Sequence, residues 1–214
     1  MRPGAFLFLL IALIGALLAG PFFVDSEPRA VVDQALFSAV LVAAVVSVRR
    51  QRWQLIGAGA VALVAVGLGW AALVTRQTSV VLAWLILMVL FFGFVIASLL
   101  TVVFRTRKVV TDTVLGAICI YLLLGLAWAH GFAIIELTAP ASFRGLDAPV
   151  QPGHLHSLTY YSLATMTSLG ATGIAPLTPP VRTLSAIESA TGQLYLTIMV
   201  ARLVGLQIAE RSAT

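Results

Sequence analysis

Charge is what this sequence has least of. Its 13 Lys and Arg and 8 Asp and Glu make up 10% of the chain, against 60% hydrophobic residues, whereas a soluble domain carries roughly 25% charged residues. That leaves too little polar surface for a fold bathed in water, and the mean hydropathy of +1.05 agrees. Cysteine is scarcer still. The single Cys119 excludes an internal disulfide and reads as a small buried hydrophobe. The sequence has no close His, Cys, Asp and Glu cluster with metal-ligand spacing and no phosphate loop. No contiguous basic face accompanies the net charge of +5, so nucleic acid is not an expected partner.

What is present is long apolar runs. Residues Ala5–Val24, Leu55–Thr75, Val80–Phe104 and Val114–Ile135 carry no formal charge, and each is long enough to cross roughly 30 Å of hydrocarbon as a helix. Ala35–Val48 reaches that length if its helix starts near Ala30, and Leu184–Leu206 does so while tolerating Glu188 and Arg202. The expected fold is an all-α membrane protein with six transmembrane helices. Arg49, Arg50 and Arg52 lie between the second and third runs, and Arg105, Arg107 and Lys108 between the fourth and fifth. The positive-inside rule then puts both termini in the cytoplasm of a multi-pass protein of the inner cell membrane. The first run reads as a span rather than a cleaved leader, being too long for a signal-peptide core and followed awkwardly by Pro21.

Residues 1–107 read as a four-helix transmembrane region. Its fourth run has no regularly spaced arginines, so a voltage sensor is not expected. Gly57–Ala60 and Gly67–Gly69 allow close helix approach or are ordinary membrane-helix composition. From Glu136 onward the pattern changes. Pro140, Gly145, Pro149, Pro152 and Gly153 mark a loop, and His156–Thr167 follows, apolar enough to enter a bilayer but, at ~1.5 Å per residue, long enough for about half of it. The next stretch, Ser168–Pro176, contains Gly170 and Gly173. Irregular backbone at membrane depth is tolerated only inside protein or along a water-filled cavity. A half-helix, a Gly-containing return and a final span make a re-entrant loop.

The stretch Tyr160-Tyr161-Ser162-Leu163-Ala164-Thr165-Met166-Thr167-Ser168-Leu169-Gly170 resembles the pore helix and filter entry of prokaryotic potassium channels, approximately Y-F-S-x-x-T-x-T-T-x-G-Y-G-D-x-x-P. Thr178-Pro179-Pro180-Val181-Arg182, Glu188, Gly192-Gln193-Leu194-Tyr195-Leu196 and Ala201-Arg202-Leu203-Val204-Gly205-Leu206 resemble the inner helix of small six-span bacterial ion channels of the two-pore-domain-like kind. The resemblance covers about Lys108 to Leu206, while the first four spans agree in number and topology only. It implies a pore domain over residues 108–214, with outer helix, pore helix, filter and inner helix, one filter loop per chain and hence a homotetrameric pore. It implies a selectivity filter at Thr167, Ser168, Leu169, Gly170, Ala171, Thr172 and Gly173, and a gating hinge at Gly192. The implied ligand is a permeant monovalent cation, K+ or Na+, with no cofactor. The lipid bilayer is the other partner, and no soluble one is inferable.

The filter departs from that pattern. Gly-Tyr-Gly-Asp meets Gly170-Ala171-Thr172-Gly173. Without a gap, Thr172 stands where a glycine supplies positive φ, which is unfavourable for a β-branched residue. With one inserted residue, Gly170 and Gly173 are the two glycines. Either way the packing ring and the outer carboxylate are missing, which weakens the case for potassium selectivity. The alternatives are a differently selective or non-conducting pore, an anion pathway among them through Arg144, His154, His156 and Arg182, or a secondary transporter. The last needs a second broken helix in the other half, for which Pro21 alone does not suffice.

Other residues carry smaller expectations. Glu188 is expected to pair with Arg182 of its own or a neighbouring chain. His130 reads as a structural histidine with a pH sensor as the rival reading, Arg202 as snorkelling to headgroups, and Trp53 as an interfacial anchor. Tyr195 is expected to place its hydroxyl on a neighbouring helix. Ser168 and His130 raise a hydrolase reading, but no nucleophile motif surrounds Ser168 and no carboxylate accompanies His130; an enzyme is not expected.

Overall fold

The computed structural model describes residues 5–22, 29–47, 52–106, 111–146, 149–170 and 173–211. These residues form seven helices and two short strands: α1 (Ala5–Phe22), α2 (Arg29–Ser47), α3 (Arg52–Thr75), α4 (Thr78–Arg105), α5 (Thr111–Thr138), β1 (Phe143–Arg144), α6 (His156–Met166), β2 (Ala175–Pro176) and α7 (Pro179–Arg211). Four stretches are long and apolar enough to cross a membrane: Ala30–Ser47, Leu55–Thr75, Thr78–Arg105 and Thr111–Thr138. In α1 the described apolar stretch is the shorter Phe6–Leu18. The 33-residue α7 mixes Ser, Thr, Gln, Glu and Arg into its apolar sequence.

The surface is turned inside out relative to a soluble protein. Leu63, Val74 and Leu90 are 76%, 81% and 65% exposed, while Gln34, His130 and Glu188 are buried. Helical hydroxyls are satisfied locally. Ser38, Ser47, Thr75 and Ser98 each donate to the carbonyl four residues back, at 2.8 Å, the usual way a hydroxyl is accommodated on an apolar helix.

Helix α5 is the centre of the assembly, packing against α1, α4, α6 and α7. The core runs unbroken from Phe6 through Leu85, Phe92 and Ile120 to Met199. The expected boundary at 107/108 lies outside the described residues, and this core is continuous across it. Of the glycines expected to bring helices together, Gly57, Gly59 and Gly67 face open space. Gly69 alone has close neighbours: a Cβ there would meet the Gln34 amide and lie 2.9 Å from Trp84 Nε1.

The 143–176 segment leaves and re-enters one end of the bundle. Strands β1 and β2 pair antiparallel, Phe143 opposite Pro176 and Arg144 opposite Ala175, so the entry and exit of the segment are stitched together. Between them the chain descends as α6. Its Ser162 meets Gly125, near the middle of the 28-residue α5, and its end meets Gly192, inside α7.

Candidate functional site

The residues singled out by the sequence gather where α6 ends between α5 and α7. Two aromatic residues seat the top of α6. Tyr161 and Phe132 lie edge to face at 5.5 Å and Tyr161 and Phe143 at 5.2 Å, a geometry that aromatic quadrupoles favour. The Tyr161 hydroxyl is 2.5 Å from Ser185 Oγ, and Ser185 donates to the Val181 carbonyl at 2.8 Å. Since Ser185 has a single proton, Tyr161 is the donor of that pair.

The next residue, Ser162, bonds the Gly125 carbonyl at 2.7 Å and also contacts Glu188 Oε1. Gly125 makes room here for Leu163: a Cβ would lie 2.5 Å from Leu163 Cδ2, which would have to shift. Glu188 is fully buried, and its Oε2 has no partner. The expected Arg182–Glu188 pair is not formed within the chain. Arg182 points outward and donates from Nε to the Pro176 carbonyl at 3.2 Å, while Glu188, on the inward face of α7, is turned to α6. The six-residue separation puts the two side chains on different faces of a helix that turns every 3.6 residues.

The end of α6 is capped by its own backbone. Thr167 donates its hydroxyl to Leu163 at 2.9 Å, with Ala164 at 3.2 Å. Ser168 N bonds the Thr165 carbonyl at 3.0 Å and Leu169 N the Ala164 carbonyl at 2.9 Å. This is a Schellman closure, with Ser168 at φ 57 in the position glycine usually takes. Gly170 and Gly173 follow at φ 79 and φ 96. Ala171 and Thr172 lie outside the described residues. Positive φ thus falls on both glycines of the gapped register and on one serine before them.

A polar cluster surrounds that cap. Gln193 Nε2 donates to Ser168 Oγ at 3.1 Å and to the Met166 carbonyl at 3.3 Å, and Ser168 Oγ lies 3.3 Å from Ser189 Oγ. Thr167, Ser168, Leu169, Gly170 and Gln193 are all exposed on the single chain. Gly192, the expected hinge, is where the end of α6 meets α7. A Cβ there would lie 2.5 Å from the Met166 oxygen and 2.9 Å from its Cα, and α7 runs as one helix through this point. Its lack of a side chain lets the end of α6 rest on α7.

Elsewhere, Arg202 reaches the end of α4. Its Nη2 donates to the carbonyls of Phe104 at 3.0 Å and Thr106 at 2.9 Å, with the guanidinium 5.0 Å from the Phe104 ring, so it caps the end of α4. Tyr195 donates to the Ala117 carbonyl at 2.7 Å on α5, as expected of its hydroxyl. His130 bonds the Leu126 carbonyl through Nδ1 at 2.7 Å, amid Phe37, Trp84 and Phe92. Its surroundings are thus distinct from those of Ser168. Cys119 is buried, 3.5 Å from the Phe6 carbonyl. The Trp53 side chain lies outside the described residues. Among the described residues no three His, Cys, Asp or Glu gather as metal ligands.

Sequence reading missed Ser185, Ser189, Gln193 and Gly125. A signal existed for the first three: they recur every four residues along α7, with Glu188 beside Ser189, a polar stripe on one face of the helix. Comparison with known protein families, with characterised proteins and with solved structures finds no match for this chain.

Proposed function

We propose that this chain is one subunit of a tetrameric pore for monovalent cations, with α5 as outer helix, α6 as pore helix, residues 167–173 as the filter loop and α7 as inner helix. On this reading α1 to α5 and α7 are six spans, both termini are cytoplasmic, and α6 enters the membrane halfway and returns. One observation carries it: an 11-residue helix held at the mid-depth of α5 and α7, between segments paired at one end of the bundle. A short helix ending at mid-membrane directs the negative end of its dipole there, which favours a cation.

The exposed face of α7 supports assembly. Leu194 and Ile198 are 61% and 52% exposed, and Leu169 of the loop is 74% exposed. A second copy of the same face would cover them around an axis lined by Gln193 and Thr197. Selectivity between potassium and sodium should be weak. The Ser168 hydroxyl already accepts from Gln193 at 3.1 Å, which leaves it less free to replace part of an ion's hydration shell.

The test is reconstitution of the purified chain in planar bilayers, with reversal potentials measured under potassium, sodium and chloride gradients, alongside cross-linking. Cation currents that discriminate poorly between potassium and sodium, from a species that cross-links to four copies, are expected. A protein that cross-links only to dimers, or that passes chloride in preference to cations, would sink the proposal.

A further inference from the structure

At the end of the bundle bearing the β1–β2 ladder, a cavity of about 670 Å³ opens between the α3–α4 turn and the loop after α5. Its size lies within the roughly 300–1,000 Å³ of small-molecule sites. The span ends Thr75, Thr78 and Thr138 surround this end, which sets the cavity at the level where hydrocarbon gives way to headgroups. Its lining is divided by chemistry. Val81, Phe143, Leu146 and Val150 make an apolar wall, and Arg76 supplies a positive charge.

Among the described lining residues the carboxylate is Glu136, which turns to the loop rather than to Arg76: its Oε1 accepts from the Ala141 amide at 2.9 Å and its Oε2 from the Phe143 amide at 3.0 Å. Arg76 makes its hydrogen bond through its backbone, from N to the Ala72 carbonyl at 2.9 Å, and its side chain has no partner among the described residues. Its position is fixed by the turn. Arg76 closes α3 at φ 53, and the next helix begins two residues later, so the residue stands at the edge of the cavity it lines. Helix α4 begins there at Thr78 without a side-chain cap, and its first amides add to the positive field.

We propose that this cavity binds the phosphate headgroup of a membrane phospholipid, with Arg76 on the phosphate and the Phe143, Leu146 and Val150 wall against the glycerol and the first acyl carbons. Free phosphate shares the charged half of this chemistry but has no use for the apolar half, and the cavity's level at the span ends favours the lipid. The assignment is independent of the pore reading.

The experiment is lipid retention by the full chain in detergent, read by native mass spectrometry. Phosphatidylglycerol is compared with a diglucosyl diacylglycerol that has no phosphate, and with inorganic phosphate alone. Retention of phosphatidylglycerol over the glycolipid is expected to fall about fivefold in Arg76→Gln, the effect of one arginine on an anionic headgroup. Arg105→Gln, at the opposite end of the bundle, should leave it unchanged. Gln151→Glu places an anion in the cavity with Arg76 intact and should produce a similar loss, so the test survives if Arg76→Gln fails to fold. Equal retention in wild type and both cavity variants would overturn the site. Arg76-dependent binding of inorganic phosphate that displaces the phospholipid would overturn the assignment to a lipid.

Discussion

Among the described residues of its own chain no cation stands beside Glu188, so its stability role there falls to Ser162. Ser162 has one proton and two neighbouring acceptors, the Gly125 carbonyl and Glu188 Oε1. A neutral group that donates to Ser162 Oγ while Ser162 donates to Gly125 serves the chain as well as a carboxylate that accepts. Glu188→Gln should therefore unfold within about 1 kcal/mol of wild type. Glu188→Leu, which removes the partner, should lose ~1–3 kcal/mol. Arg182→Gln should unfold like wild type. Thermal unfolding in detergent, followed by circular dichroism, checks all three. A large loss in both Glu188→Gln and Arg182→Gln would restore the ion pair. The sequence marked Glu188 because an acid stands out in an apolar span, and Gly192 only through the resemblance. It did not reveal their roles, because neither the face on which Glu188 lies nor the atom against Gly192 is local in sequence.

Helices are where the sequence was most legible. Length and apolarity located α2 to α5, and the shortness of the His156–Met166 segment set it apart, since these are local properties. The docking of α6 was not legible. It rests on contacts such as Ser162 to Gly125 and Gln193 to Met166, which join residues far apart in the chain. The tie between α7 and α4 is of the same kind. Arg202 brings a positive charge to the carbonyl end of α4, where the helix dipole welcomes it. Replacing it with leucine leaves the carbonyls of Phe104 and Thr106 without that donor. Amide exchange at residues 102–106 should then speed up by about tenfold, the effect of losing ~1.4 kcal/mol of local protection, with α6 unaffected. Unchanged exchange in Arg202→Leu would show that the contact holds nothing in place.

The whole assembly turns on the loop between Ser168 and Ile174. Gly173 sits at φ 96, a conformation that an aspartate there would strain. The substitution that respects this backbone is Ala171→Tyr with Thr172→Gly, which keeps Gly173. In the proposed tetramer it should raise potassium-over-sodium selectivity well above the wild type, measured as a shift in bi-ionic reversal potential. Wild-type protein already as selective as the variant would contradict the idea of a disturbed filter. The ladder between Phe143–Arg144 and Ala175–Pro176 bears finally on biogenesis. Helix α6 is too short to enter a bilayer as a span of its own, and its buried Ser157, Thr159 and Ser162 resist lipid. On the proposed topology it would wait at the water boundary until α5 and α7 were both inserted, and then slide in as the last element, with its neck already tied.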